Sequence, residues 1–393
     1  MDVEEAFSKC LAYCRANQWA GHDPYDALNS RIVATLPFLN TRIPRLILTQ
    51  ALKRSPVNLR RLLLIPKTQN PKALALFLSA FLPLSATVEN LNRDIDGIIE
   101  RLVALRSKGV SEWCWGYSFP WQTRSILVPV GAPNLVCTTF VADALLDAYE
   151  NRRDPRYLAM AVSAAEYLVN HLYWECDESA GFAYPLPSVR IPVHNANFLA
   201  AALLCRVHRH TGDDRLLRPA LASARHSAAQ QRSNGSWYYG EATSQQWIDN
   251  FHTGFNLCAL RSIARSTGIT EFAASVRQGF DFYRNHFFYG NGAVRYFHNR
   301  SYPIDIHNVA QSIITLLTLE DLDPQNVPLA HSVFQWAIKH MSDESGFFYY
   351  RVLPLFKITT SYMRWSQAWM VLAMSRLICI AKPSKEPAHA LRA

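Results

Sequence analysis

The chain has 393 residues, 49% hydrophobic and 18% charged, a composition that excludes a disordered polypeptide and supplies enough apolar side chains for a continuous core. Lysine and arginine number 40 against 31 acidic residues, a formal charge of +9 that suits an anionic partner but lacks the compact basic runs of a dedicated nucleic-acid binder. Eight cysteines without metal-site spacing read as free thiols, and the apolar run Leu74 to Leu82 is too short to cross a bilayer.

In chain order, the acidic start Met-Asp-Val-Glu-Glu has no features of a secretory signal, so a cytoplasmic location is expected. Helices are predicted near 4–17, 34–50, 70–83 and 88–106, punctuated by Pro24, Pro56, Pro66 and Pro71. The stretch 70–83 is apolar nearly all round, as befits a helix sandwiched inside a larger fold. From 135 onward helices follow near 135–150, 156–172, 195–210, 214–231, 250–266, 270–286, 305–320, 327–341 and 361–378. Short links such as Thr211-Gly212-Asp213 and Thr267-Gly268-Ile269 join the members of a pair. A longer link follows each pair and carries a glycine with aromatics, at Gly181, Gly235, Gly292 and Gly346.

Those glycines are 54, 57 and 54 residues apart, the signature of a repeated supersecondary unit. Each unit is a helical hairpin with an aromatic loop, and stacking hairpins buries the stripe that one alone would expose. The predicted fold class is all-α, an (α/α)6 toroid of helical hairpins, with an open helical solenoid as the alternative. Residues 1–110 form an N-terminal helical region packed into or completing the ring, 111–380 the repeated domain, and 381–393 a flexible tail.

Three segments, Trp115-Gly116-Tyr117-Ser118-Phe119-Pro120-Trp121-Gln122, Asp249-Asn250-Phe251-His252-Thr253-Gly254 and Tyr362-Met363-Arg364-Trp365-Ser366-Gln367-Ala368-Trp369, carry a resemblance. They look like segments of bacterial proteins associated with exopolysaccharide or capsule production, and distantly like the C-terminal domain of uronyl C5-epimerases. With the repeat, the chain resembles the six-hairpin carbohydrate-active proteins. That resemblance implies a sugar-binding cleft at one end of the ring and polysaccharide chemistry, without assigning roles to residues.

Aligning the repeats by their glycines also aligns the entrances to the following helices, where Asn195 and Asn197, Asp249 and His252, and Asp305 and His307 recur. Asp249 and Asp305 are candidates for paired acid and base work on a glycosidic bond, although each stands where a helix N-cap belongs. His252 and His307 are candidates for proton exchange near neutral pH, against the alternative of a satisfied core histidine. Arg364 is the preferred partner for a carboxylate on an acidic glycan, an internal salt bridge being its plain alternative. Tyr117, Trp121, Arg124, Tyr184, Asn197, Trp237, Tyr238, Tyr302, Tyr350 and Trp365 complete the expected binding surface, since aromatic faces match the apolar faces of sugars. Trp365 and Trp369, four residues apart, suit core packing at least as well. No metal site and no cofactor are expected, because zinc, dinucleotide and phosphate-loop signatures are missing from the sequence.

The expected function is the processing of an acidic or charged polysaccharide as hydrolase, lyase or uronyl epimerase. The alternative is a noncatalytic glycan-binding or assembly protein in exopolysaccharide biosynthesis, which would bring polysaccharide-biosynthesis proteins as partners.

Overall fold

The computed structural model describes residues 1–177 and 179–381, so the expected tail lies outside the described residues beyond Ala381. The helices are α1 Val3–Ala16, α2 Arg31–Ala34, α3 Arg42–Arg54, α4 Pro71–Phe81, α5 Leu91–Ala104, α6 Leu135–Arg152, α7 Pro155–Tyr167, α8 His194–Thr211, α9 Leu217–Ala229, α10 Asn250–Thr267, α11 Ala273–Phe287, α12 Ile306–Thr318, α13 Asn326–Met341 and α14 Ala368–Ala381. Strands are short and confined to loops: β1 Trp121–Gln122 pairs with β2 Leu127–Val128, β3 Tyr173–Cys176 with β4 Ser179–Phe182, and β5 Ile304–Asp305 with β6 Arg351–Val352, which continues to β7 Lys357–Ile358.

Helices α4, α6, α8, α10, α12 and α14 form an inner ring in which each packs on the next and α14 packs back on α4. The Ser375 hydroxyl on α14 donates to the Ala80 carbonyl on α4 at 2.6 Å across that junction. Helices α5, α7, α9, α11 and α13 each follow an inner helix and lie outside it, while α1 supplies the sixth outer helix by packing on α14. The ring is closed, which removes the open solenoid. Inner position explains the composition of α4, where every residue except Ser79 is buried.

The periodic glycines have a steric cause. Gly235, Gly292 and Gly346 adopt φ of +87°, +86° and +94°, and a Cβ at each would collide with a backbone carbonyl of the next outer helix: Gln278 on α11, Ser332 on α13 and Lys9 on α1. The last of these contacts crosses the chain termini, so the repeat and the closure share one device. Gly181 differs. It lies in β4 with ordinary φ, beside the Asn197 side chain and Trp174.

Four of the six inner helices begin with side-chain caps: Asn70, Asn134, Asp249 and Asp305 accept from the backbone N–H of Lys72, Cys137, His252 and His307 respectively. Because each long link joins an outer helix to the next inner one, these links gather at the N-terminal end of the inner ring. Residues 17–70, an excursion between α1 and α4, reach the same end and have a small apolar cluster of their own around Ala27, Leu52 and Ile65. The helix predicted over 34–50 is divided there into α2, a 3-10 turn at Pro37–Asn40, and α3. The helix predicted from 361 opens as a π-helical turn, Met363–Gln367, a distortion frequent at functional sites.

Candidate active site

A cavity of about 430 Å³ opens among the N-termini of the inner helices, within the size range of small-molecule sites. Its wall is aromatic, with Tyr117 stacked on Phe119 (centroids 5.5 Å, planes 3° apart) and Tyr239 on Trp247 (4.5 Å, 12°). Its polar floor holds Asp249, His252, His307, Asn195, Lys72 and Arg364.

Asp249 caps α10 and is almost fully buried. Its Oδ1 accepts the His252 backbone N–H at 3.0 Å, while Oδ2 accepts Trp247 Nε1–H at 2.9 Å and lies 2.7 Å from His252 Nδ1. A carboxylate at that distance accepts from Nδ1–H and fixes which ring nitrogen faces it, leaving Nε2 the one not engaged by Asp249. Tyr239 packs its ring 4.5 Å from the His252 ring and fixes its orientation further.

His307, one residue into α12 and fully buried, lies between Phe251 and Trp369, stacked at 4.6 Å on each side. Neither ring nitrogen has a hydrogen-bond partner. Burial, then the charges of Lys72, Arg364 and His252, hold its pKa well below the usual histidine value, so the imidazole is neutral at pH 7. Two more buried polar atoms at the cavity, Asn195 Oδ1 and Trp121 Nε1, also lack partners. Unpaired buried polar atoms are rare in proteins, and their grouping here leaves hydrogen-bonding capacity at one cavity.

Asp305 is positioned differently from Asp249. Its Oδ1 accepts from the His307 N–H at 3.0 Å and Trp365 Nε1 at 2.9 Å, and its Oδ2 meets Arg351 Nε at 2.6 Å. It is wholly buried behind Trp365 and does not line the cavity, which corrects the expectation that it faces the cleft beside Asp249. Arg364 lines the cavity, but its Nε and Nη2 donate to both oxygens of Asp23 at 2.7 and 2.8 Å. Burial alone would lower its pKa, and the Asp23 carboxylate more than offsets this. The guanidinium fork is therefore occupied within the protein.

Among the expected binding residues, Tyr117, Trp121, Tyr184 and Trp365 line the cavity together with Arg364. The others lie elsewhere. Trp237 is core, with Nε1 donating to the Ser227 carbonyl at 3.0 Å and its ring against Phe198. Asn197 is buried and uses its amide to tie the Phe182 N–H to the Ser227 hydroxyl. Tyr350 is buried beneath Arg351 and against Tyr362. Tyr238 lies under Arg232, while Tyr302 and Arg124 are exposed on loops. The sequence shows an aromatic loop but not which of its faces turns inward; Tyr239, beside the two chosen aromatics, is the one that enters the cleft.

Lys72, Tyr25 and Asp23 escaped the sequence reading because they lie outside the repeat. Lys72 had a signal, a lone cation on a helix otherwise apolar all round. Its ammonium lies 4.0 Å from the Phe140 ring centroid, and burial followed by Arg364 pushes its pKa well below the ordinary lysine value. Tyr25 packs its ring 5.7 Å from Trp365 and takes a hydrogen bond from Lys53 at 2.6 Å. Among the described residues no cluster of potential metal ligands occurs.

No family model and no curated protein sequence matches the chain. Solved structures do. A sugar epimerase from a ruminal bacterium superposes with TM-score 0.61 at 11% identity, over 81% of this chain and 90% of its own. The unsaturated glucuronyl hydrolase of Streptococcus agalactiae gives 0.61 at 11%, over 95% and 91%. A family 76 α-mannanase from Bacteroides thetaiotaomicron gives 0.60 at 13%, over 78% and 85%. The chain has the (α/α)6-toroid fold. At such identities the likeness concerns architecture, and the reaction must be argued from the site.

Proposed function

We propose that this chain is a carbohydrate-active enzyme that moves a proton on a sugar carbon next to a carbonyl group, with His252 and His307 as the exchanging groups. The observation that carries this reading is the unequal state of the acid–base residues. Two imidazoles stand at the cavity, His307 with neither ring nitrogen bonded and His252 with Nδ1 on Asp249, whereas Asp249 and Asp305 each take three donors from the protein. A hydrolase of the two-carboxylate kind needs one carboxyl group to give a proton and another to accept one or attack. Neither aspartate is placed for that work.

In the proposed reaction one imidazole takes the proton from the carbon, and the electron pair moves onto the carbonyl oxygen to give an enediolate. The second imidazole takes a proton from solvent and delivers it to the opposite face, giving the epimer, or to the neighbouring carbon with a proton passing between the two enediol oxygens, giving the isomeric sugar. The first imidazolium releases its proton to solvent, so protons balance. Lys72 and Arg364 line the same cavity, so they are the basic side chains available to a developing oxyanion. A uronate carboxylate would find Arg364 already engaged by Asp23, which favours a carbonyl substrate over the acidic glycan expected from sequence. The solved relatives include a sugar epimerase alongside two glycoside hydrolases, so the fold accommodates this chemistry.

The test is incubation in D2O with reducing oligosaccharides and with uronate-containing oligosaccharides, read by mass spectrometry and NMR. One deuterium fixed on carbon, with chain length unchanged, is the expected outcome. Shortened chains without deuterium, unsaturated ends, or binding of unaltered glycan would each overturn the proposal in favour of hydrolysis, elimination or a noncatalytic role.

A further inference from the structure

Exposed large apolar side chains are distributed unevenly over this molecule. Among the described residues, apart from Met1, they lie at the cleft end of the ring: in links from outer to inner helices, such as Leu127, Val130 and Leu355, at the C-terminal turn of α5, or in the 17–70 excursion. Within the excursion, Phe38, Ile43, Ile47, Val57, Leu62 and Leu64 are between 55% and 73% exposed. Ile43 and Ile47 are one turn apart on α3, so that helix turns aliphatic side chains outward as well as inward. A soluble monomer scatters such residues over its surface; concentration at one end marks a contact surface.

Charge identifies what the surface fits. From Ala27 to Val88 the sequence contains no aspartate or glutamate, while residues 27–70 carry Arg31, Arg42, Arg45, Lys53, Arg54, Arg60, Arg61 and Lys67. The two acidic residues just before this stretch are internal, Asp23 on Arg364 and Asp26 on Arg60 at 2.8 Å. Arg31, Arg42, Arg54 and Arg61 are exposed and form no ion pair among the described residues. A surface for another protein typically has an apolar centre depleted of charge, with polar residues kept to its rim. One sign only, interleaved with outward aliphatics on a short helix and its flanking turns, is the pattern that lies on anionic lipid headgroups.

We propose that the cleft end docks on an anionic membrane surface through residues 27–70, with Ile43 and Ile47 entering the headgroup boundary and Arg42, Arg54 and Arg61 meeting lipid phosphates. Such a mode lies on the bilayer without spanning it, in keeping with the lack of any helix long and apolar enough to cross a membrane among the described residues. It would present the cavity, beside which Tyr25 of the same excursion stands, to saccharides held close to the lipid surface.

The test is partitioning of the full chain onto phosphatidylcholine vesicles with and without about a third phosphatidylglycerol. Binding only to the anionic vesicles is expected, weakening as salt rises, with about a fivefold loss for each of Arg42→Gln, Arg54→Gln and Arg61→Gln. Ile43→Ser with Ile47→Ser, exposed positions that leave the core intact, should reduce binding at least tenfold with the circular dichroism unchanged. Failure to bind anionic vesicles at low salt would overturn the proposal. So would binding of soluble polyglutamate that depends on the arginines while vesicle binding ignores both isoleucines, since that would make the surface a dock for acidic proteins. Partitioning reads this surface directly, whatever reaction the cavity performs.

Discussion

Asp249→Asn separates the role of the His252 partner from that of a helix cap. The carboxylate receives three donors: the His252 backbone N–H, His252 Nδ1–H and Trp247 Nε1–H. An amide of the same shape has one accepting oxygen. With that oxygen on the backbone N–H the cap survives, but the NH2 group then faces Trp247 and donates to His252 Nδ1, moving the ring proton to Nε2 and removing the base. In the other orientation the imidazole keeps its tautomer while the cap N–H is opposed by a donor. The first costs about 1–3 kcal/mol for the stranded indole N–H and the lost charge, the second a comparable amount for the cap. The cap-preserving form is favoured, because the Nδ1 acceptor gives the NH2 group a partner. Turnover should fall about a hundredfold to ten-thousandfold with the fold retained, measured as kcat beside thermal unfolding. A folded Asp249→Asn variant with kcat within about threefold of the parent would refute the dyad.

Asp305→Asn should act through stability. It strands Arg351 and Trp365 in a fully buried site, and a loss of about 3–5 kcal/mol in denaturant unfolding is expected, with any activity change following the folded fraction. His307→Gln should keep the fold and glycan binding and lower kcat at least a hundredfold, because no protein group depends on its ring nitrogens. Stability should also fall with acidity. Burial pushes His194 down to about 4 from 6.5, so the unfolded chain binds the extra proton between those values. The stabilisation present above pH 6.5 is lost towards pH 4 at about 1.4 kcal/mol per pH unit, and His307, also held down by burial, acts in the same direction. Denaturant midpoints at pH 7 and pH 5 measure this; equal midpoints would contradict neutral burial of both rings.

The architecture was legible because its cause is local. Gly235, Gly292 and Gly346 recur where a Cβ would strike the next hairpin, so the glycine period records the geometry of stacking itself. The helix entrances were legible for a similar reason, since Asp249 and Asp305 announce N-caps. What the sequence could not show was the division of labour between the two aspartates. Equivalent positions in the repeat put both beside a histidine, but Arg351 and Trp365, from a different repeat, enclose one and leave the other at the cavity. Arg364 was similarly opaque, because its partner Asp23 lies 341 residues away. Lys72 and Tyr25 reach the cavity from the part of the chain that does not repeat, where periodicity offers no guide.

The most direct test of proton transfer by His252 and His307 follows a sugar deuterated at the carbon beside its carbonyl and records washout of the label into H2O for the parent chain, His252→Gln and His307→Gln, with glycan affinity measured in parallel. Washout by the parent and at least a hundredfold slower washout in each variant, at unchanged affinity, is the predicted result. Retention of the label while the glycan is consumed, or washout at the parent rate in both variants, would contradict it.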